Sequence, residues 1–136
     1  MDLSQAGSIT MKQLDQGATI GIVGGGQLAR MLVVAAAQLG FRCHIFSQRC
    51  DDCALPLVQN ATIASFDDER AFLLFAQQCD VISYETENVP PRLFDKIADA
   101  NKVFPRPKVL SITQDRLAEK MFLRNAGIEI APFLPL

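Results

Sequence analysis

The run Thr19-Ile20-Gly21-Ile22-Val23 passes directly into Gly24-Gly25-Gly26-Gln27-Leu28-Ala29-Arg30, a strand feeding a glycine turn that opens a helix. No other feature narrows the possible folds as much. Glycines at 24 and 26 permit a tight turn and leave no Cβ between main-chain N–H groups and an approaching phosphate. The helix behind them aims its unsatisfied N–H groups and positive dipole end at the same point. Ala29 stands where such fingerprints carry a third glycine, a position that only has to let helix and strand pack closely. Glycine turns are common, so it is the placement between a strand and an amphipathic helix that gives this one meaning.

From Ala18 onward, short apolar runs alternate with helical periods. A strand is expected over 18–23 and a helix over Gln27–Leu39. In that helix Leu28, Met31, Leu32, Ala35, Ala36 and Leu39 recur at helical spacing and share one face, and Gly40 closes it. Arg42–Phe46 reads as a second strand, 47–60 as a loop carrying Pro56, and Ala61–Ala64 as a short strand. Asp67 or Asp68 can cap the next helix, whose Ala71, Leu74 and Phe75 share a face. Asp80–Tyr84 reads as a buried strand, and Pro90-Pro91 opens a helix with Phe94, Ile97 and Ala98 on one side. Lys102–Phe104 is a last short strand. The segment Lys108–Thr113 then precedes a helix from Asp115 to Asn125, which Gly127 ends. Residues 1–16 have no period and are expected to be a mobile leader, with the domain spanning 17–136.

This alternation predicts an α/β domain: a parallel sheet with helices on both faces, joined by right-handed crossovers. Ligands of such sheets lie beyond the carboxyl ends of the strands. Gly24–Gln27, Ser47 and Glu85 all arrive there. The chain's 136 residues suit one domain, and 49% hydrophobic against 21% charged residues suits a globular core. A net charge of −2 argues against a nucleic-acid surface. The N-terminus lacks signal-peptide order, and the apolar run Met31 to Ala37 is too short to span a bilayer. A cytoplasmic protein without a membrane partner is expected. In that compartment Cys43, Cys50, Cys53 and Cys79 are reduced thiols. Cys50-Asp51-Asp52-Cys53 has the spacing of a metal knuckle, but no second pair follows. The sole histidine, His44, neighbours Cys43 on a strand and so faces the opposite way. No metal site is expected in the chain.

Two further segments carry chemistry. Tyr84-Glu85-Thr86-Glu87-Asn88-Val89-Pro90 follows the fourth strand. Its carboxylates and amide, beside a phosphate turn, can fix a ligand's amine and hydroxyls. Glu85 and Glu87 point to one side if the chain stays extended. Near the C-terminus, Asp115 is a natural N-cap and Arg116 lies in the first helical turn, where a cation sits poorly. Arg116 therefore implies either an anionic partner or an ion pair with a nearby carboxylate.

Gly24 through Leu32, Tyr84-Glu85-Thr86-Glu87-Asn88-Val89, Pro105-Arg106-Pro107, Gln114-Asp115-Arg116 through Glu119-Lys120, and Gly127 through Phe133 together form a recognisable set. From Ala18 to the C-terminus the chain resembles the N-terminal domain of carboxyaminoimidazole ribonucleotide synthetases, ATP-grasp enzymes of purine biosynthesis. Ala29, Thr86 and Ser47-Gln48 depart from that family's usual Gly, Phe and Asp-Pro.

The resemblance implies a Rossmann-like pre-ATP-grasp fold, similar to the N-terminal domain of biotin carboxylase. It implies phosphorylation of bicarbonate by ATP, then carboxylation of the amine of aminoimidazole ribonucleotide. Gly24, Gly25, Gly26, Gln27, Leu28, Glu85, Glu87 and Asn88 would face the ribonucleotide, with Glu85 near its amine, and Arg116 would touch ATP. The lysine strand, glycine-rich loop and Mg²⁺-holding carboxylates of an ATP-grasp domain do not follow in this sequence. On this reading the chain is a truncated domain, inactive alone, whose partners are the missing ATP-grasp domain and, in the full-length enzyme, a second copy.

Two rivals come from other classes. An NADP-binding domain of an oxidoreductase would use Ser47 and Arg49 for the 2′-phosphate, since no carboxylate ends the second strand as NAD requires. A non-catalytic Rossmann-like interaction module would use a helical face to join an assembly. The C-terminal helix is the candidate face and predicts concentration-dependent self-association.

Overall fold

The computed structural model describes residues 13–97, 99 and 102–134. Four strands run in the order β1 (Thr19–Val23), β2 (Arg42–Ser47), β3 (Asn60–Ile63) and β4 (Val81–Tyr84). They lie side by side as β3-β2-β1-β4, all parallel. Helix α1 (Gln27–Gln38) joins β1 to β2, and α2 (Glu69–Gln77) joins β3 to β4. After a 3₁₀ helix at Pro91–Lys96 come α3 (Pro107–Thr113) and α4 (Arg116–Asn125).

Period-two alternation sorts the strand residues between two layers. Ile22 and Ile45 face α1, where they bury Ala29, Val33 and Ala54. Val23, Phe46 and Ile82 face the other way, into a core of Phe72, Phe75, Phe94, Val89, Leu93, Val103 and Leu110. The sheet is thus covered on both faces, as the alternation of elements predicts. The chain moves outward from β1 to β2 and β3, then returns across to β4 on the opposite side. The order therefore reverses between β1 and β4, and that crevice is where ligands of open α/β sheets bind.

Several expectations need correction. On α1 the buried residues are Ala29, Val33 and Ala36. Of the expected series only Ala36 is buried, while Leu28 at 56%, Met31 at 60% and Leu39 at 66% exposure face solvent. The glycine turn fixes the helix's rotational phase, and close packing on β1 selects its small-residue face. On α2, Phe72 and Phe75 are buried while Leu74 is exposed, and Asp68 supplies the cap by accepting from the Ala71 N–H at 2.9 Å. The helix expected after Pro90-Pro91 is a short 3₁₀ segment that buries Leu93 and Phe94. The last short strand shrinks to one parallel bridge, Ile82 with Val103. Gly40 and Gly127 do follow α1 and α4 with positive φ, at 80° and 76°. Of the leader, residues 1–12 lie outside the described residues, as does Ala98. Gly17 N–H donates to Gly40 C=O at 2.9 Å, tying the domain's start to the end of α1.

Candidate functional site

Gly24 leaves β1 with φ 105°, and its N–H donates to Phe46 C=O at 2.9 Å, which anchors the turn to β2. Across the crevice, Glu85 N–H donates to Val23 C=O at 3.1 Å, so the backbone just past β4 still pairs with β1. Its side chain folds back over the glycines, and Gly26 N–H donates to Glu85 Oε1 at 3.1 Å. A Cβ on Gly24 would stand 2.6 Å from both Cγ and Oε1 of Glu85, so any side chain there would have to displace that carboxylate. The glycine turn and the acidic tip thus share one corner.

The same geometry revises the expectation of amides left bare for phosphate. Gly24 N–H is committed to Phe46, and Gly26 N–H already holds a carboxylate. A second carboxylate leans on the turn from β2. Asp52 Oδ2 would lie 2.6 Å from a Cβ at Gly25, and it accepts a short hydrogen bond from the buried Ser47 hydroxyl. Ala54 N–H donates to Gly25 C=O and Arg30 Nη1 to Cys53 C=O, both at 3.0 Å, docking the loop after β2 onto the turn. Sequence reasoning missed Asp52, weighing its loop only for the metal-knuckle spacing of Cys50 and Cys53. The available signal was an acid just past a strand that ends beside the glycine turn. Gln27 opens α1 with its side-chain oxygen 3.7 Å from the Cys53 thiol, and Leu28 is exposed beside it.

Glu87 and Asn88 do not join this corner. The chain turns at these residues, with Asn88 N–H donating to Thr86 Oγ1 at 3.2 Å, so the extended path that would align Glu85 with Glu87 is absent. They line a separate cleft of about 530 Å³ with Thr113, Gln114, Arg116 and Glu119. Gln114 Nε2 donates to Glu87 C=O at 2.5 Å and Val89 C=O at 2.7 Å, stapling the tip of β4 to the start of α4. Asp115 caps α4, accepting from Ala118 N–H at 2.8 Å. Arg116 pairs with Glu119 at 2.5 Å, so the misplaced cation has a carboxylate at hand. Pro105-Arg106-Pro107 leads into α3, with the Arg106 guanidinium 5.3 Å from the Phe104 ring centroid.

The cysteines take no part as a cluster. Cys43, Cys50, Cys53 and Cys79 are free, and burial pushes the Cys79 thiol up to about 12. Among the described residues no three His, Cys, Asp or Glu side chains gather as metal ligands, and no helix is long and apolar enough to cross a membrane.

Residues 17–114 match the family described as the ribonucleotide synthetase preATP-grasp domain. The chain belongs to that family. The match begins just before β1 and ends at Gln114, so it contains both the glycine corner and the tip after β4. The chain is 45% identical over 120 residues to N5-carboxyaminoimidazole ribonucleotide synthase of Brucella melitensis biotype 1, which covers 88% of this chain and 33% of that protein. N5-carboxyaminoimidazole synthetase of Staphylococcus aureus, solved with ADP, superposes with a TM-score of 0.80 at 34% identity, over 89% of this chain and 33% of its own. The Aspergillus clavatus enzyme, solved with ADP and 5-aminoimidazole ribonucleotide, superposes with a TM-score of 0.76 at 28% identity, covering 86% and 31%. This chain therefore spans about a third of the length of these relatives. Its Rossmann-like pre-ATP-grasp sheet is the fold they share over that third.

Proposed function

We propose that this domain is the ribonucleotide-binding part of an ATP-dependent ligase of purine biosynthesis. That ligase carboxylates aminoimidazole ribonucleotide with bicarbonate. Bicarbonate takes the γ-phosphoryl group of ATP to give carboxyphosphate and ADP. The ribonucleotide's exocyclic nitrogen then bonds to the carboxyl carbon, and inorganic phosphate leaves. The names of the relatives support this reaction, as does the ribonucleotide in the Aspergillus complex.

The observation that carries the reading is Glu85 held at the β1–β4 switch point, with its carboxylate over Gly24 and Gly26. A carboxylate fixed there accepts hydrogen bonds from an amine and orients the nitrogen lone pair away from itself. Gly24, Gly25, Gly26, Gln27 and Leu28 form the wall beside it, with Glu87 and Asn88 further out. Arg116 reaches ATP by exchanging Glu119 for a phosphate oxygen. The lining of that cleft carries two carboxylates against one guanidinium, so it fits one edge of the nucleotide and not the whole triphosphate. Mg²⁺, which shields the phosphates in such transfers, belongs with ATP on the part of the relatives that this chain does not span. The same part supplies the ATP-grasp partner, and the complete enzyme is a cytoplasmic homodimer.

In an enzyme that carries this domain, Glu85→Gln keeps the shape and removes the charge. It should raise the KM for the ribonucleotide about 10- to 100-fold, the worth of a hydrogen bond to a charged group. The KM for ATP should stay unchanged. Equal ribonucleotide KM values in the two proteins would sink the assignment. Micromolar binding of NADPH to the chain would replace it with the dehydrogenase reading, in which Arg49 meets a 2′-phosphate. Arg49 is instead engaged by Asp51 at 2.7 Å and faces Asp52 at 3.6 Å, which opposes that reading.

A further inference from the structure

We propose that the glycine turn is a carboxylate clamp. The Gly26 N–H and the bare Cα of Gly24 position Glu85 for the ligand's amine, and they do not themselves cradle phosphate. This deepens the role just given to Glu85 and rests on that reading. Of the two glycine amides placed by hydrogen bonds, one serves β2 and the other serves Glu85 Oε1. The space above Gly24 is filled by Glu85 Cγ and Oε1, and the space above Gly25 by Asp52, itself held by Ser47. A phosphate approaching the same amides would meet two carboxylates at close range, an unfavourable like-charge arrangement. An amine meets complementary charge.

The clamp also sets direction. Oε1 is bound to the turn and lies 3.2 Å from the place a Gly26 Cβ would take, whereas Oε2 lies 3.8 Å away. Oε2 is therefore the oxygen presented to a donor. Fixing one oxygen by a main-chain amide removes rotamer freedom before the ligand arrives, which is how positioning groups raise affinity. In this arrangement Gly24 and Gly26 are positioning residues for a carboxylate on the neighbouring strand's end, 59 residues on from Gly26 in sequence, and their glycine identity follows from the acid above them.

The test has two arms on the whole chain. In the first, hydrogen exchange at the Gly26 amide is compared between the parent and Glu85→Ala. Loss of the clamp should speed exchange about ten-fold, and equal rates would overturn the proposal. In the second, calorimetry measures binding of aminoimidazole ribonucleotide and of ribose 5-phosphate, which lacks the amine. Gly24→Ala and Glu85→Gln should each weaken the ribonucleotide about ten-fold, and the double variant should be no weaker than either single, because both remove one positioned carboxylate. Ribose 5-phosphate should bind all of them alike. Additive losses, or a loss of ribose 5-phosphate affinity in Gly24→Ala, would mean that the turn holds phosphate and would overturn the clamp.

Two variants keep the test sound if Gly24→Ala fails to fold. Glu85→Asp is too short to reach the amide. Gly26→Pro deletes the N–H at a φ of −76°, which proline tolerates. Each should reproduce the Glu85→Gln loss. If the Gly26 amide depends on Glu85 while no protein binds the ribonucleotide, the amine role of Glu85 in this chain fails and the contact itself stands.

Discussion

His44 shows how one side chain can tie stability to pH without touching the site. It lies on β2 at 3% exposure, with Nε2 2.9 Å from Thr62 Oγ1 and the Phe75 ring edge-on at 5.0 Å. Its Nδ1 is buried with no partner. A second proton there would sit in an apolar wall, so burial pushes the imidazole below its ordinary value of 6.5. The unfolded chain gains that proton as pH falls through about 6.5, and the folded chain does not until lower pH. Stability is therefore full above that value and declines as pH falls from it toward the folded value, by at most about 1.4 kcal/mol per pH unit. Urea unfolding between about pH 7.5 and 5.5 should show this decline. His44→Gln, which keeps an amide for Thr62, should flatten the curve. Parallel decline in both proteins would place the acid sensitivity elsewhere. At this scale the positions of Glu85 and of the turn beginning at Gly24 were legible in the sequence because each directly follows a strand of one parallel sheet. Asp52 was not, since four residues of loop separate it from the end of β2 and nothing local fixes where that loop turns.

Among the elements, order and type followed from periodicity, while the phase of α1 did not. Its sequence is apolar nearly all round, from Leu28 through Leu39, so spacing alone supports more than one buried face. Tertiary packing chose Ala29, Val33 and Ala36 because they let α1 approach β1 closely. The 3₁₀ segment after Pro90 was similarly ambiguous, since proline starts either kind of turn. Asp115 was legible as a cap and Asp68 as one of two candidates, and the two caps predict opposite behaviour for their helices. Asp68 caps α2, which buries Phe72, Phe75 and Ala76 in the main core. Asp115 caps α4, which buries no residue. Each cap is worth about 1 kcal/mol. Asp68→Ala should therefore lower the global unfolding free energy by about that amount. Asp115→Ala should instead increase amide exchange within α4 and leave the global Tm nearly unchanged. A global loss of the same size in both variants would show that α4 is part of the cooperative unit despite its exposure.

Taken as a whole, the molecule keeps its core between sheet and helices and leaves two apolar helical faces without cover. On α1 these are Leu28, Met31, Leu32 and Leu39, and on α4 Leu117 and Phe122. Scattered exposed apolar side chains are ordinary, but a contiguous helical stripe of them marks a contact surface. Along α1 the only charged residue is Arg30, whose guanidinium reaches back to Cys53 C=O. Two copies of that helix can therefore pack with little like-charge repulsion, whereas α4 carries Arg116, Lys120 and Arg124 against one carboxylate, Glu119, and would bring a net positive charge toward a second copy. Self-association is thus expected through α1 and not through the C-terminal helix that the sequence alone suggested. Sedimentation velocity across about a hundred-fold range of concentration should show a shift toward dimer. Met31→Glu buries a charge at the centre of the stripe and should return the chain to monomer, because an unpaired carboxylate in such a contact costs several kcal/mol. Phe122→Glu should leave the shift intact. If Phe122→Glu abolished association and Met31→Glu did not, the contact would belong to α4. A parent that stays monomeric throughout would overturn the expectation that α1 binds its own copy.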